Sequence, residues 1–415
     1  MTQHPVSLAL VALLGASSAG GGRWGPAPCP ADSGGLVVPQ EFCAALLARD
    51  AGKVRQLAVA PNGDLYAAVQ GRSLFGAGGV AAYRDRDGDG RVEEHVSFGP
   101  AGGNDVEVHQ GYLYLSLSDR IIRWRLTTGK LEPDGGSETV VRDLPHGGDH
   151  GAKSLAFGAG NAMYLSVGSA TNSCQEHNRV AGSRGLDPCR ELERRAGIWL
   201  FAADRPGQRF GDGRRFATGM RNPEALAIQP GSGAFYAAIM GRDQLSDNWG
   251  YSDAVNADDP AEELVRVRSG DDFGWPYCYY SNQARKKVLA PEYGGDGAKV
   301  GRCASAKGPV VAFPGHWAPL AMAFHAGDQL GPEYQGGLFV AFHGSWNRSP
   351  LPQAGFRVAY VPFKEGEPAG GYETFATGSG GPTDLRASGV AVGPDGSLYI
   401  SAESNGKIWK VWRRR

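Results

Sequence analysis

Six times along the chain, a short run of alternating apolar residues is followed by a tight polar or glycine turn, then by a bulky apolar residue and an aromatic. The copies are Leu57-Ala58-Val59 with Leu65-Tyr66, Val106-Glu107-Val108 with Leu113-Tyr114, and Leu155-Ala156-Phe157 with Met163-Tyr164. Three more are Leu226-Ala227-Ile228 with Phe235-Tyr236, Met322-Ala323-Phe324 with the more distant Leu338-Phe339, and Val390-Ala391-Val392 with Leu398-Tyr399. A period of two marks strands. Turns such as Pro61-Asn62-Gly63, Pro230-Gly231-Ser232-Gly233 and Pro394-Asp395-Gly396 join them as β-hairpins. The copies start on average about 67 residues apart, against the roughly 40 to 50 that a four-stranded propeller blade needs. The predicted fold is therefore all-β, a six-bladed β-propeller with inserted loops at 167–195, 240–262 and 279–312. The C-terminal strand Lys407 to Trp412 is expected to close the ring.

Composition agrees with this fold and narrows the partners. The 63 glycines in 415 residues are roughly twice the usual share, which suits a turn-rich β protein, and 41% hydrophobic content excludes a disordered chain. With 42 basic and 43 acidic residues there is no global electrostatic case for binding nucleic acid or an anionic membrane. The apolar stretch Pro5 to Ala16 is too short to span a bilayer. Followed by Ser17-Ser18-Ala19, it resembles a secretory signal, although its first residues carry no Lys or Arg. The expected organisation is a signal peptide over 1–19, an N-terminal extension over 20–45 and one propeller over 46–415, in a secreted or periplasmic protein. Six cysteines, none in a CxxC, suit an oxidising compartment, and sequence neighbours are expected to pair: Cys29 with Cys43, Cys174 with Cys189, Cys278 with Cys303.

Two to six residues before each copy stands a polar group: Arg55, Asn104, His150 with Lys153, Arg221 with Asn222, His316, and Arg386. In a propeller these approaches lie at one mouth of the central channel. A ring rich in Arg, His and Lys there suits a polyanionic small ligand, because guanidinium forks bind carboxylates in bidentate fashion. Within His146-Gly147-Gly148-Asp149-His150-Gly151, a histidine beside a carboxylate can be held in one tautomer and serve as a general base. Asp85-Arg86-Asp87-Gly88-Asp89-Gly90 opens like a calcium loop, with Asp85, Asp87 and Asp89 as ligands. The glutamate expected at its twelfth position falls on Val96, although Glu93 and Glu94 are close.

Longer motifs carry a family resemblance. Phe216-Ala217-Thr218-Gly219-Met220-Arg221-Asn222-Pro223-Glu224-Ala225-Leu226-Ala227, Asp271-Asp272-Phe273-Gly274-Trp275-Pro276, Phe342-His343-Gly344-Ser345-Trp346-Asn347-Arg348 and Gly389-Val390-Ala391-Val392-Gly393-Pro394-Asp395-Gly396 resemble the glucose/sorbosone dehydrogenase family. With Asp149-His150 and Gly241-Arg242-Asp243 in the expected order, the resemblance spans roughly 40 to 413. It implies pyrroloquinoline quinone, a tricarboxylate, as cofactor, with calcium. It also implies His150 as general base with Asp149 beside it, and Arg221 as both a catalytic and a cofactor-binding group. Asn222, Arg386, Lys153, Arg55, Asn104, His316 and Arg348 complete the expected cofactor-binding set, Asn104 standing for a glutamine and Arg348 for a lysine of the glucose enzymes. Gly241, Arg242 and Asp243 mark the loop whose carbonyls would hold calcium. A second arginine that the glucose enzymes carry is Ser388 here, a departure that bears on how the cofactor is held.

The implied reaction oxidises an aldose or an aldehyde hydrate at C1, His150 taking the hydroxyl proton while hydride passes to the quinone. Its partners are a small sugar or aldehyde and a separate electron acceptor, since no Cys-Xaa-Xaa-Cys-His segment offers a covalent haem. Gly147-Gly148 and Ala101-Gly102-Gly103 lack the strand, GxGxxG and helix context of a nicotinamide site. Two other readings of the fold stand beside it, a calcium-dependent sugar lactonase and a non-catalytic extracellular recognition propeller.

Overall fold

The computed structural model describes residues 28–71, 79–381 and 383–414; the expected signal peptide lies outside them. Six sheets of at least four strands follow one another around an axis, antiparallel except where Gln208–Arg209 adds a short parallel strand to the second. Their innermost strands are Lys53–Val59, Asp105–His109, Leu155–Phe157, Ala225–Ile228, Pro319–Phe324 and Ala387–Val392. Each is the first half of a hairpin named above. The registers close at Val59↔Leu65, Val108↔Leu113, Phe157↔Met163, Ile228↔Phe235, Phe324↔Leu338 and Val392↔Leu398. The fold is thus an all-β six-bladed propeller.

The aromatic that ends each copy explains why the blades stack. Strand alternation points every second side chain at a neighbouring blade. Tyr66 enters the cluster with Val106 and Leu113 of the second blade, and Tyr114 the cluster with Leu155 and Met163 of the third. Tyr236 packs with Met322 and Val340, Phe339 with Val390 and Ile400, and Tyr399 with Leu57 and Val69, which brings the ring back to the first blade. Tyr164 is partly buried between the third and fourth blades. Each fully buried one contributes about 1.5–3 kcal/mol by leaving water.

Ring closure uses both ends of the chain. Lys407–Arg413 is the third strand of the sixth blade, and Phe42–Ala48 pairs antiparallel along it as the fourth. That strand crosses the boundary drawn at residue 46, and Leu36–Val37 adds a short outer strand to the fifth blade. The hydrophobic run Phe42-Cys43-Ala44-Ala45-Leu46-Leu47 has no repeat partner beside it in sequence, so only its pairing with the far end reveals it as part of a blade.

All three disulfides join the expected neighbours, Cys29–Cys43, Cys174–Cys189 and Cys278–Cys303. The second ties down the insert of the third blade. The third ties down an insert of the fourth blade that carries the hairpin Cys278–Ser281 and Lys286–Leu289. Two buried ion pairs fix the fourth-blade inserts: Lys287 holds one to Glu263 of a blade strand at 2.7 Å, and Arg242 joins the two inserts through Glu292 at 2.7 Å. Among the described residues no helix is long and apolar enough to cross a membrane.

Candidate active site

His150 stands on the loop entering the third blade, and glycines let that loop fold tightly. Gly148 has φ 79°, and a Cβ there would lie 2.6 Å from the carbonyl oxygen of Ala170. The Asp149 amide donates to that same carbonyl at 2.8 Å. Imidazole Nδ1 of His150 lies 3.1 Å from the Ser169 carbonyl and 2.9 Å from Ser169 Oγ, whose own hydrogen goes to Thr171 O at 2.6 Å. A Ser169 hydroxyl committed to Thr171 leaves Nδ1 as a donor to the carbonyl, so the lone pair sits on Nε2. Burial, and then the nearby Arg221, pull the imidazole pKa down to about 3. His150 is therefore a neutral base with its tautomer assigned.

Ser169 performs the tautomer-holding role that the sequence assigned to Asp149. The Asp149 carboxylate turns instead to Arg179, at 2.8 Å, and to Asn178. Burial raises this carboxyl, but its bonds to Arg179 and Asn178 outweigh that and hold it below its usual value. Neighbours in sequence on a turn point apart, whereas Ser169 arrives from the adjacent strand end.

Arg221, only 5% exposed in its side chain, spends its guanidinium on protein acceptors. Nε and Nη2 bind the Asn172 carbonyl and Oδ1 at 3.1 and 3.0 Å, Nη1 binds the Gly241 carbonyl at 2.6 Å, and Nη2 also meets Asp243 at 2.8 Å. Asp243 has two further neighbours, the Arg179 guanidinium at 3.1 Å and His316 Nδ1 at 3.6 Å. Burial raises the Asp243 carboxyl, yet Arg221, His316 and Arg179 pull it well below the carboxylate range. The Arg242 side chain is turned into its pair with Glu292. Glu262 accepts from the Gly241 amide at 3.0 Å and from the Ala318 amide at 3.1 Å, and burial pushes it up to about 7. As arranged, the Gly241 carbonyl and the Asp243 carboxylate fit guanidinium groups rather than a calcium ion.

The expected ring of cations is largely neutralised by carboxylates that the sequence reading did not place. Arg55 of the first blade reaches Glu224 of the fourth, and Glu403 of the sixth at 3.0 Å. Glu403 also meets His343 at 3.2 Å, and this contact with Arg55 overrides burial and lowers its carboxyl to about 2. Asn222 donates to Glu224 at 3.3 Å. His150 and Asn222 flank Gly168, where a Cβ would lie 2.5 Å from His150 Cβ and 2.8 Å from Asn222 Oδ1. The Lys153 ammonium is buried against the Gly151 and Ala152 carbonyls at 2.7 and 3.3 Å. Burial, with Arg195 nearby, pushes it down to about 7.

Three assignments change at the rim. The Arg348 guanidinium binds the carbonyls of Ala257, Pro352 and Gly315 and pins its own loop, so it does not stand in for the missing lysine. His316 Nε2 faces the Asn256 carbonyl at 2.7 Å. Ser388 is fully buried, donating to Val54 O at 2.7 Å between the sixth and first blades, where an arginine would have no room. Among the described residues two side-chain donors on these approaches have no hydrogen-bond partner. Arg386 stacks over Phe356 at 4.9 Å and has no side-chain hydrogen bond among the described residues, and the buried Asn104 Nδ2 has no partner, Oδ1 being taken by Gln70.

The acidic loop after Val80–Arg84 lies at the opposite end of the first blade. Asp85, Asp87, Asp89 and Glu93 each bring one carboxylate oxygen to within 4.8 Å of the others. Glu93 thus takes the place expected of Val96, because the chain turns back into Glu94–Phe98 before a twelfth position is reached. It is the only group of three or more such ligands among the described residues, so no comparable set gathers at the His150 mouth for a lactonase's axial ion.

Comparison with known proteins places these features in a group. A pyrroloquinoline quinone-dependent pyranose dehydrogenase of Coprinopsis cinerea is 27% identical over 196 residues, which are 38% of this chain and 26% of that protein. An uncharacterized protein of Borreliella burgdorferi is 28% identical over 206 residues, 47% of this chain and 48% of its own length. The chain therefore spans about half or less of these relatives. Among solved structures, the PQQ domain of the Coprinopsis cinerea pyranose dehydrogenase in holo form superposes with a TM-score of 0.74 at 21% identity, covering 93% of this chain and 98% of that one. A Trichoderma reesei enzyme of carbohydrate-active family AA12 gives 0.75 at 19% identity over 92% and 98%. The soluble aldose sugar dehydrogenase of Escherichia coli gives 0.62 at 18% over 90% and 100%. The TrAA12-like family model matches residues 36–414, nearly the whole propeller, and the chain belongs to that family.

Proposed function

We propose that the protein is a quinoprotein dehydrogenase that oxidises an aldose or aldehyde hydrate at C1, using pyrroloquinoline quinone. The observation that carries this reading is a neutral His150 whose Nδ1 is held by Ser169 and whose Nε2 has no partner among the described residues, at a mouth where, among the same residues, the Arg386 guanidinium has no hydrogen bond and Asn104 Nδ2 is orphaned. That donor set fits a tricarboxylate: Arg386 and Asn104 Nδ2 have hydrogens to give, and Asn222 lies beside His150 across Gly168. When bound, the cofactor supplies the two-electron acceptor to which hydride goes. His150 Nε2 accepts the C1 hydroxyl proton, and Nδ1–H stays on the Ser169 carbonyl while positive charge develops on the ring. Arg221, fixed by four acceptors, keeps a cationic field beside that ring. The product is a lactone or acid, the electrons leave to a separate acceptor, and the three disulfides support a secreted or periplasmic location.

The test is to titrate purified protein with pyrroloquinoline quinone and assay dye reduction with a panel of aldoses and aldehydes. Stoichiometric binding with dye reduction supports the reading. Absence of binding refutes it and favours the recognition or lactonase alternatives, the latter read by lactone hydrolysis without an electron acceptor. Arg386→Ala is expected to weaken cofactor binding about 10- to 100-fold, the worth of a charge-assisted hydrogen bond, with the melting temperature unchanged.

Calcium belongs, in this reading, to the loop of Asp85, Asp87, Asp89 and Glu93. Adding calcium is expected to raise the melting temperature of the parent, because an ion that binds only the folded state stabilises it by mass action. Asp87→Asn with Asp89→Asn should abolish that rise and leave dye reduction unaltered, since the loop lies at the far end of the blade. A rise that persists in the double variant sinks this assignment.

A further inference from the structure

Arg179 belongs to the Cys174–Cys189 insert and was not among the residues singled out from the sequence. Its backbone is non-glycine yet left-handed, φ 61°, and is pinned by Gln175 Oε1 on its amide at 3.1 Å and by Asn248 Nδ2 on its carbonyl at 3.3 Å. A residue held in so sparsely populated a conformation is over-determined by its surroundings. The guanidinium is spread over two different loops: Nε meets Asp149 at 2.8 Å, Nη2 meets Asp243 at 3.1 Å, and Nη1 meets Gln244 at 3.2 Å. Trp346, 62% exposed at the rim, lies with its ring centroid 5.8 Å from the guanidinium carbon. Asn178 adds bonds to both Asp149 oxygens.

Asp149 is covalently next to His150, and Asp243 is the partner of Arg221. A planar fork bonded to both carboxylates therefore sets the spacing between the base and the buried arginine, two groups on different blades. We propose that Arg179 is a positioning residue that cross-links the His150 loop to the Gly241–Asp243 loop and so holds the base in register with Arg221. The inference rests on the dehydrogenase reading for its kinetic consequence, but its structural consequence is measurable in the cofactor-free protein.

The experiment compares the parent with Arg179→Met, Arg179→Lys and Asn178→Ala, by steady-state dye reduction of the reconstituted enzyme and by hydrogen exchange of cofactor-free protein. A misplaced base costs about 100-fold in kcat, so Arg179→Met should lose that much while the sugar KM stays within about twofold. Arg179→Lys keeps a point charge without the fork and should recover about tenfold of the loss. In Arg179→Met, exchange across 146–150 should rise about tenfold as the loop loses its tie, the Asp149 amide being its reporter. Asn178→Ala, which leaves Arg179 in place, should change both readings far less. Arg179→Met with kcat within about threefold of the parent and unchanged exchange overturns the proposal. Should Arg179→Met fail to fold, an Arg179→Lys variant indistinguishable from the parent in kcat and exchange overturns it equally. If the parent reduces no dye, the dehydrogenase reading falls and the exchange comparison alone decides the positioning role.

Discussion

His150→Ala is expected to lower kcat by about 100- to 10,000-fold, the range that a positioned general base contributes, while binding of pyrroloquinoline quinone stays close to the parent's. The expectation follows from three observations: Nδ1 is committed to Ser169, Nε2 has no hydrogen-bond partner among the described residues, and His150 lies beside Asn222 across Gly168. The pH profile is a second check. Burial, with Arg221 nearby, lowers the imidazole pKa to about 3. The base form is the neutral one, present above that pKa, so His150 places the acid limb of kcat near pH 3 and leaves kcat flat from about pH 5 to 8. A limb near the ordinary histidine value, abolished by His150→Ala, would mean that the ring is more hydrated than this geometry shows. Retention of turnover within a few-fold in His150→Ala would remove it from the mechanism.

The second large effect concerns stability. Arg242→Met should destabilise the fold by about 3–5 kcal/mol, since it strands the fully buried Glu292 carboxylate without its cation. Glu292 also accepts from Trp249 Nε1 at 3.0 Å, so the loss extends to the short helix Leu245–Trp249 and to the loop that carries Asp243. Urea unfolding of Arg242→Met against Arg242→Met/Glu292→Met measures this. The double variant should recover more than half of the loss, because replacing both ions leaves no charge buried alone. Equal midpoints for the parent and the single variant would show that the pair is dispensable. Arg242 thus acts through its side chain as a structural tie, a role separate from that of its backbone carbonyl.

Much of the scaffold was legible because a propeller repeats one local instruction. The alternation in Leu57-Ala58-Val59, a turn and then Leu65-Tyr66 specifies a hairpin whatever surrounds it, and the Tyr66 position recurs as the interblade aromatic in every copy. Phe42–Ala48 was not legible as a blade strand because its partner, Lys407–Arg413, lies at the other end of the chain. The disulfides were legible for the opposite reason, each closing a loop between near neighbours in sequence. Ser169 left one faint signal, a small polar residue just after the strand Ala162–Val167, and Arg179 left none.

By itself, then, the sequence determined the six hairpins, their order, the loops that carry polar residues to one mouth, and the motif residues His150, Arg221 and Asn222. The tertiary structure alone decided which of those polar groups are available for chemistry. Arg55 and Glu403 stand 348 residues apart yet share an ion pair, and Arg55 crosses the channel to Glu224. Charge pairing depends on distance in space and on burial, not on separation along the chain. A list of cations near six turns therefore reads as an open cationic ring until folding brings the opposing carboxylates into contact and leaves, among the described residues, the Arg386 guanidinium, Asn104 Nδ2 and His150 Nε2 without a hydrogen-bond partner.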